Sequence, residues 1–281
     1  MENEIPIGRR SRLYRSFEML PAAISFTMLG LVVVLPFFSA RLAAVYVLVV
    51  VAIVFVRAVR SAVDLTRGYR RLRGSCAVDW SRRLRDLGDP RAVLSSGEVG
   101  TSGSYGSGHH RRTLMRLAVD PSLAPHPDQV MNAVIIAAYN ESYEVIAPTI
   151  RSLVGTSYDR TRMAIFFAYE ERGGARIEQT ARQLREEFGD EFAAFELVRH
   201  PSDLPGEIAG KGANISYAGR ELAQWATAQG IDPALVLVTT LDCDNKPHPS
   251  YFDCATYAFL THADRTRASF QPVSLFLNNI W

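Results

Sequence analysis

Two uncharged apolar segments near the N-terminus most constrain how this 281-residue chain can fold. Met19–Ala40 and Leu42–Val56 contain no Asp, Glu, Lys or Arg. As a helix, the first is long enough to cross a hydrocarbon layer of about 30 Å. The second becomes long enough if Arg41 and Arg57 extend from its ends towards water. A buried core helix is the alternative for each, but two tandem segments flanked by arginines favour a transmembrane helical hairpin.

The arginines around this hairpin predict its orientation. Only Arg41 lies between the two segments, whereas arginines are frequent outside them, at Arg9, Arg10, Arg12 and Arg15 before and at Arg57, Arg60, Arg67, Arg70, Arg71 and Arg73 after. Basic residues close to membrane helices stay on the cytoplasmic side. We therefore expect a multi-pass protein of a plasma or inner membrane, with everything after Arg57 in the cytoplasm.

The region that follows is basic and then rich in Ser and Gly. Ser61–Leu87 mixes arginines with apolar residues such as Trp80, which predicts an amphipathic helix on the inner membrane face, with a solvated helix as the alternative. Ser95–His110 has the composition of a flexible linker, to which we assign His109 and His110 as well. The predicted organisation is an N-terminal hairpin region (1–60), a basic helix and linker (61–131) and a domain (132–281).

From Asn132 onwards, strand and helix patterns alternate. The predicted helices cover about 142–154, 175–188, 210–229 and 249–262. The predicted strands are Ala133–Ala138, Met163–Tyr169, Phe195–Arg199, the run that begins at Ala234, and Ala268–Val273. Such alternation predicts an α/β domain with a mostly parallel sheet covered by helices.

The strand that begins at Ala234 runs directly into two carboxylates, Asp242 and Asp244. Open α/β sheets bind ligands at the carboxyl ends of their strands. Two oxygen donors at such a position suit Mg²⁺ or Mn²⁺ carrying a diphosphate. A surface turn is the alternative, because Asp and Asn are common turn formers. Cys243, between the two, should point away from them as a packing residue.

The net charge and the cysteine content bear on the partners and the compartment of the protein. The net charge of +2 gives no reason to expect nucleic acid as a partner. The three cysteines form neither a pairing framework nor a Cys-x-x-Cys metal spacing, which fits a reducing compartment.

Four features together resemble the N-terminal half of membrane-bound family 2 glycosyltransferases, of the cellulose synthase and hyaluronan synthase kind. They are the hairpin, Val134–Glu141 (VIIAAYNE), Lys211–Ala218 (KGANISYA) and Thr240–Asp244 (TLDCD). The family usually has Pro where Ala138 stands and Asn where Ser216 stands. The resemblance covers 132–281 and the hairpin. It implies a nucleotide-diphospho-sugar transferase (GT-A, Rossmann-like) fold and an inverting glycosyltransferase with a nucleotide-sugar donor, a UDP-sugar foremost.

The resemblance also implies roles for individual residues on the nucleoside side of the donor. Tyr139 and Glu141 would contact the base and ribose, although such a sequence after a strand is often only a helix cap. Glu170 stands near the position of the acidic residue that contacts the nucleobase in the family, and Glu171 is an equal candidate.

The remaining roles concern the diphosphate and its cation. Lys211 would face the anionic donor beside a helix start, unless it is merely solvated. Asp242 would approach the ribose or the metal, and Asp244 would coordinate the Mg²⁺ or Mn²⁺ that bridges both phosphates. His248 is interpreted as an ordinary turn residue, and contact with a metal ligand is the alternative.

The chain also departs from the family. The later aspartate that deprotonates the acceptor, the Gln-x-x-Arg-Trp segment and further membrane helices are not found before Trp281, and 270–281 resembles an interrupted acceptor-side segment. We therefore expect a C-terminally incomplete, donor-binding half without a general base, inactive in sugar transfer on its own. The rival functions are a catalytically inactive nucleotide-binding or partner-binding membrane protein, and a nucleotidyltransferase. The latter would need a Gly-rich loop after the first strand, and Ala137–Ser142 contains no glycine.

Overall fold

The computed structural model describes residues 11–97, 99, 103–208 and 210–273. Its contacts divide the chain into two compact units, Met1–Leu72 and Arg73–Trp281. The described α-helices are α1 (Arg12–Phe38), α2 (Ala40–Cys76), α3 (Trp80–Asp86), α4 (Pro90–Ser96), α5 (Ser107–Val119), α6 (Tyr143–Val154), α7 (Gly174–Phe188), α8 (Lys211–Ala228) and α9 (Tyr251–Thr261). The described strands are β1 (Met131–Ala138), β2 (Met163–Glu170), β3 (Ala194–His200) and β4 (Val236–Asp242).

The first unit contains a hairpin of α1 and α2. Ser39 alone separates the two helices, and its amide donates to Leu35 O at 2.9 Å. The Tyr46 hydroxyl donates to Met28 O at 2.8 Å, which links one helix to the other. Both helices are long and apolar enough to cross a membrane, and neither contains a buried residue. Within the described residues, they are therefore not core helices.

Helix α2 is much longer than the apolar segment that predicts it. It continues without a break to Cys76, and α3 begins at Trp80 after a short turn. The Asp79 side chain caps α3 by accepting from Arg82 N at 2.8 Å. The helix predicted over 61–87 is therefore confirmed as far as Cys76 and wrong beyond it, because the chain turns there and buries Trp80 and Leu84 in the core of the second unit.

The second unit is built on a four-stranded, fully parallel sheet of order β3-β2-β1-β4, which confirms the α/β class. Going along the chain, β2 is added beside β1 and β3 beside β2, and β4 is then added on the other side of β1. At the carboxyl edge, Ala137 lies beside Asp242 and Ala138 lies beside Tyr169. The strand order thus reverses between β1 and β4.

Successive side chains of β1 pack on opposite faces of the sheet, as the period of two requires. Val134 and Ile136 join a large core with residues of α3, α5, α6, α7 and α9. Ala133 and Ile135 join a smaller core with Ala218 and Leu222, which belong to α8. Burial on both faces explains why β1 reads as a continuous apolar run.

Helix α5 begins inside the segment interpreted as a linker. His110 is fully buried, with Nε2 3.0 Å from Asp86 Oδ2 and Nδ1 3.1 Å from the Tyr257 hydroxyl. The Arg83 guanidinium donates to Gly103 O at 2.9 Å and thereby fixes the chain that leads into α5. The linker prediction over 95–110 is therefore wrong at its C-terminal end, because long-range polar contacts hold His110 in the core.

The predicted strand Ala268–Val273 is also wrong. These residues have no strand pairing and follow a short 3-10 turn, Arg265–Arg267. The Phe270 ring packs edge-on against His262 at 5.9 Å between centroids. An apolar run makes a strand only where a neighbouring strand accepts its hydrogen bonds. Most of the predicted acceptor-side segment, 274–281, lies outside the described residues.

Candidate functional site

A cavity of about 330 Å³ opens at the carboxyl edge of the sheet. The ends of β1, β2 and β4 and the start of α8 form its walls. It is lined by all six residues selected from the sequence, Tyr139, Glu141, Glu170, Lys211, Asp242 and Asp244. The cavity lies where the strand order reverses, the position at which open α/β sheets bind ligands.

The end of β4 presents two carboxylates with a buried thiol between them. Asp242 and Asp244 are exposed, whereas Cys243 is buried. The Cys243 carbonyl accepts from the Thr149 hydroxyl at 2.7 Å, which fastens this turn to α6. Burial, followed by the nearby charges of Glu141 and Asp244, raises the pKa of Cys243 to about 12. The thiol is therefore protonated at neutral pH and acts as a packing residue.

Lys211 supplies the positive charge of the cavity. It is the first residue of α8, and its ammonium group forms an ion pair with Asp242. The first turn of α8 contains no acidic residue, so the positive end of the helix dipole and its amide groups are not neutralised from within the helix. The start of α8 therefore combines a cation with a helix N-terminus, an arrangement suited to a phosphate.

The loop after β1 is shaped by Glu141 and by a close backbone contact. Glu141 Oε2 accepts from Tyr139 N at 2.7 Å and from Asn140 N at 3.1 Å. Tyr139 is 48% exposed, and the Arg172 guanidinium lies 5.5 Å from the centroid of its ring. A Cβ at Gly173 would lie 2.0 Å from Tyr139 O, so only glycine fits there. The exposed ring offers a flat surface on which a base could stack.

The structure separates Glu170 from Glu171, which the sequence leaves equivalent. Glu170 ends β2, is only 4% exposed, pairs with Arg172 and lines the cavity. Glu171 instead accepts from Ser202 N at 2.8 Å and pairs with Arg199 at 2.7 Å. These contacts hold the pKa of Glu171 below its usual range, chiefly through the Ser202 amide. Glu170 is therefore the acidic residue of this wall.

Asn214 is a cavity residue that was not selected from the sequence. Its Nδ2 donates to Ala138 O at 3.3 Å and Ala168 O at 3.0 Å, so it joins α8 to the ends of β1 and β2. Its Oδ1 is buried and has no hydrogen-bond partner among the described residues. Two signals could have found it: it lies within the quoted stretch 211–218, and it follows Lys211 by three residues, a spacing that shares a helix face.

Two side chains of the cavity are the candidate ligands for a cation. Two carboxylates, Asp242 and Asp244, lie on one wall, and Asp242 already pairs with an ammonium group. The described residues contain no cluster of three or more His, Cys, Asp or Glu side chains that could hold a metal on its own. Mg²⁺ commonly binds through one or two carboxylates and completes its shell with phosphate and water oxygens. His248 bonds to the Ser250 hydroxyl at 2.9 Å and belongs to the turn.

Comparisons of the chain with models of known protein families and with curated proteins both find no match.

Proposed function

We propose that the chain is a membrane-bound glycosyltransferase whose cavity binds a nucleotide-diphospho-sugar, a UDP-sugar foremost, on the cytoplasmic side. One observation carries the proposal. Six residues taken from separate stretches of the sequence line a single cavity at the point where the strand order reverses. Its volume of about 330 Å³ lies at the lower end of the usual range for small-molecule sites. The fold would then be of the GT-A type.

The nucleoside would bind along the ends of β1 and β2. The exposed Tyr139 ring, supported by the Arg172 guanidinium, provides a surface for the base. Glu170, buried beside it, is an acceptor for a polar hydrogen of the base. Glu141 holds the loop through the amides of Tyr139 and Asn140, and its carboxylate lines the cavity beside them.

The diphosphate would bind between α8 and the end of β4. The N-terminus of α8 and Lys211 attract its negative charge. Asp242 and Asp244 would hold the Mg²⁺ or Mn²⁺, and when bound this cation offsets the charge that develops on the departing nucleoside diphosphate. Lys211 would leave Asp242 and turn to a phosphate, because both side chains are half-exposed and can move.

Inverting transfer also needs a base that removes the proton of the acceptor hydroxyl. The four carboxylates of the cavity are all assigned to the donor, so this base would come from outside the cavity. Because no carboxylate of the cavity is left for this role, the arrangement also supports a second candidate, a membrane protein that binds the nucleotide without catalysing transfer. Binding and turnover measurements separate the two.

The binding test is calorimetry of the detergent-solubilised full chain with UDP, with and without Mn²⁺. We expect tighter binding with Mn²⁺, and at least about a tenfold loss in Asp244→Asn, which keeps the shape of the side chain and removes the charge. Asp242→Asn should have the next largest effect. Asp190→Asn is the matched control, since Asp190 is an exposed carboxylate before β3, at the opposite edge of the sheet.

Two outcomes decide the proposal. Binding that is indifferent to Mn²⁺ and equal in Asp244→Asn and Asp190→Asn would refute the site. If binding is as expected, a radiolabelled donor incubated with membranes containing the full chain tests transfer. Release of nucleoside diphosphate above the level of Asp244→Asn membranes supports the enzyme, and binding without release supports the second candidate.

A further inference from the structure

The cation of the cavity is a lysine in a chain whose basic residues are almost all arginines. Of the 31 Lys and Arg residues, only Lys211 and Lys246 are lysines. An arginine holds a carboxylate through two parallel hydrogen bonds from its planar guanidinium group, whereas a lysine carries a compact charge on a flexible stem. The cavity therefore contains the basic side chain that more readily exchanges one anionic partner for another.

The surroundings of Lys211 leave its side chain room to move. In its ion pair with Asp242, each side chain has 51% of its surface exposed. A Cβ added at Gly210 or at Gly212 would meet no atom within 4 Å, so the chain is not crowded on either side of Lys211. Exposed ion pairs of this kind contribute little to stability, and the pair with Asp242 can therefore open at little cost.

The same ammonium group occupies one of the two carboxylates that are the candidate ligands for a cation. The described residues contain no group of three or more His, Cys, Asp or Glu side chains that could hold a metal, so Asp242 is half of what Asp242 and Asp244 can offer. A free divalent cation would have to displace Lys211 from Asp242 and then stay close to its positive charge. When a diphosphate is present, Lys211 has a second anion to contact, beside the N-terminus of α8.

We propose that the Lys211 ammonium group competes with a divalent cation for Asp242, so that the cavity binds the cation together with a diphosphate and discriminates against the free cation. This inference rests on the proposed function and adds a specificity-determining role for Lys211. Its effect is a coupling between two ligands. A diphosphate that draws Lys211 away raises the affinity for the cation, and the cation must raise the affinity for the diphosphate by the same factor.

Two binding measurements on the detergent-solubilised full chain test the inference, one for each ligand alone. Without nucleotide, free Mn²⁺ is measured from its electron paramagnetic resonance signal; without metal, UDP binding is measured by calorimetry. Lys211→Met removes the charge and keeps a long side chain that is compatible with a helix. We expect Lys211→Met to bind Mn²⁺ at least about fivefold more tightly than the parent chain, and UDP at least about fivefold more weakly. A loss of folded protein would weaken both, so it cannot produce these opposite changes.

Three further variants isolate the ion pair. The Mn²⁺ binding that is lost in Asp244→Asn is the part assigned to the cavity. Lys246→Met removes an exposed lysine that lies two residues after Asp244 and does not line the cavity, and it should change neither affinity by more than about twofold. Lys211→Arg keeps the positive charge beside Asp242, so it should bind Mn²⁺ no more tightly than the parent chain.

The outcomes separate this inference from the proposed function. Mn²⁺ binding that is unchanged or weaker in Lys211→Met, or UDP binding that is unaffected by it, would overturn the inference. Tighter Mn²⁺ binding in Lys211→Arg, or an equal gain in Lys246→Met, would do the same. All of these results leave the proposed function in place if the parent chain binds UDP and Mn²⁺ together through Asp244. Absence of that joint binding refutes the proposed function and this inference with it.

Discussion

Gly173 shows how much of the cavity depends on a residue that is not part of its chemistry. Its backbone passes so close to the end of β1 that a Cβ would lie 2.0 Å from Tyr139 O and 2.7 Å from Ile177 Cγ2. Its φ of −71° is open to any residue, so the requirement is for space and not for an unusual conformation. The loop that carries Tyr139 can therefore take this position only because residue 173 has no side chain.

We expect Gly173→Ala to lower the free energy of unfolding by about 1–3 kcal/mol, the usual cost of overpacking. It should also weaken UDP binding, because Tyr139 has to move. Gly189→Ala is the control, since its φ is −58° and its nearest contact would be an ordinary 3.8 Å. Denaturant unfolding and calorimetry measure both effects. Equal stability of the two variants would show that the contact relaxes without cost.

For single residues, the sequence predicts a place in the candidate site where that place depends on the strand that comes just before. Asp242 and Asp244 follow a buried strand, and their position at the sheet edge is a consequence of that order. Asn214 and Gly173 act through contacts with Ala138, Ala168 and Tyr139, which are distant in the chain. No local pattern encodes such contacts, so Gly173 could not be selected in advance, and the only signals for Asn214 are its place in the stretch 211–218 and its spacing from Lys211.

Among the elements, β1 to β4 and helices α6 to α9 follow from periodicity, whereas α5 does not. The Ser and Gly residues that precede α5 predict a linker, and the features that hold it are the buried contacts of His110 with Asp86 and Tyr257. Composition describes the local conformational preference of a segment, and in α5 the tertiary contacts stabilise a helix instead of the flexible linker that the composition predicts. The reverse holds for Ala268–Val273, whose apolar residues find no strand to pair with.

The buried hydrogen bonds of His110 with Asp86 and Tyr257 predict that the free energy of unfolding depends on pH. Burial lowers the pKa of His110 below the usual 6.5, against the opposing effect of Asp86. The folded chain then binds fewer protons than the unfolded chain between those two pKa values. The contribution of this residue is therefore complete above about pH 6.5 and is lost as the pH falls through the pKa of the folded state.

Unfolding free energies measured between pH 8 and pH 5.5 check this direction. We expect His110→Gln to have a flatter profile than the parent chain over this range, because glutamine can keep hydrogen bonds but cannot titrate. His109→Gln, at the exposed neighbouring position, should keep the parent slope. A parent chain that gains stability towards pH 5.5 through His110 would show that the imidazole is charged in the folded state.

At the scale of the whole molecule, the proposed orientation in the membrane follows from the arginines around α1 and α2. Ser104 lies in the second unit and Ala40 at the turn of the hairpin, and both are exposed. In the Cys76→Ser background, we expect Ala40→Cys to react with a membrane-impermeant maleimide on intact cells and Ser104→Cys only after permeabilisation. The reverse pattern, or reaction at both positions on intact cells, would contradict this orientation.

The central position of β1 has a consequence for how the protein is made. β1 pairs with β2 soon after it in the chain, but its partner on the other side, β4, is about a hundred residues further on. Contacts between such distant segments form late, since the entropy of closing the intervening chain must be overcome first. During synthesis, β1, β2 and β3 can assemble while β4 is still on the ribosome. Until β4 emerges, the nascent sheet exposes the free edge of β1, so this is the stage at which a chaperone would matter most.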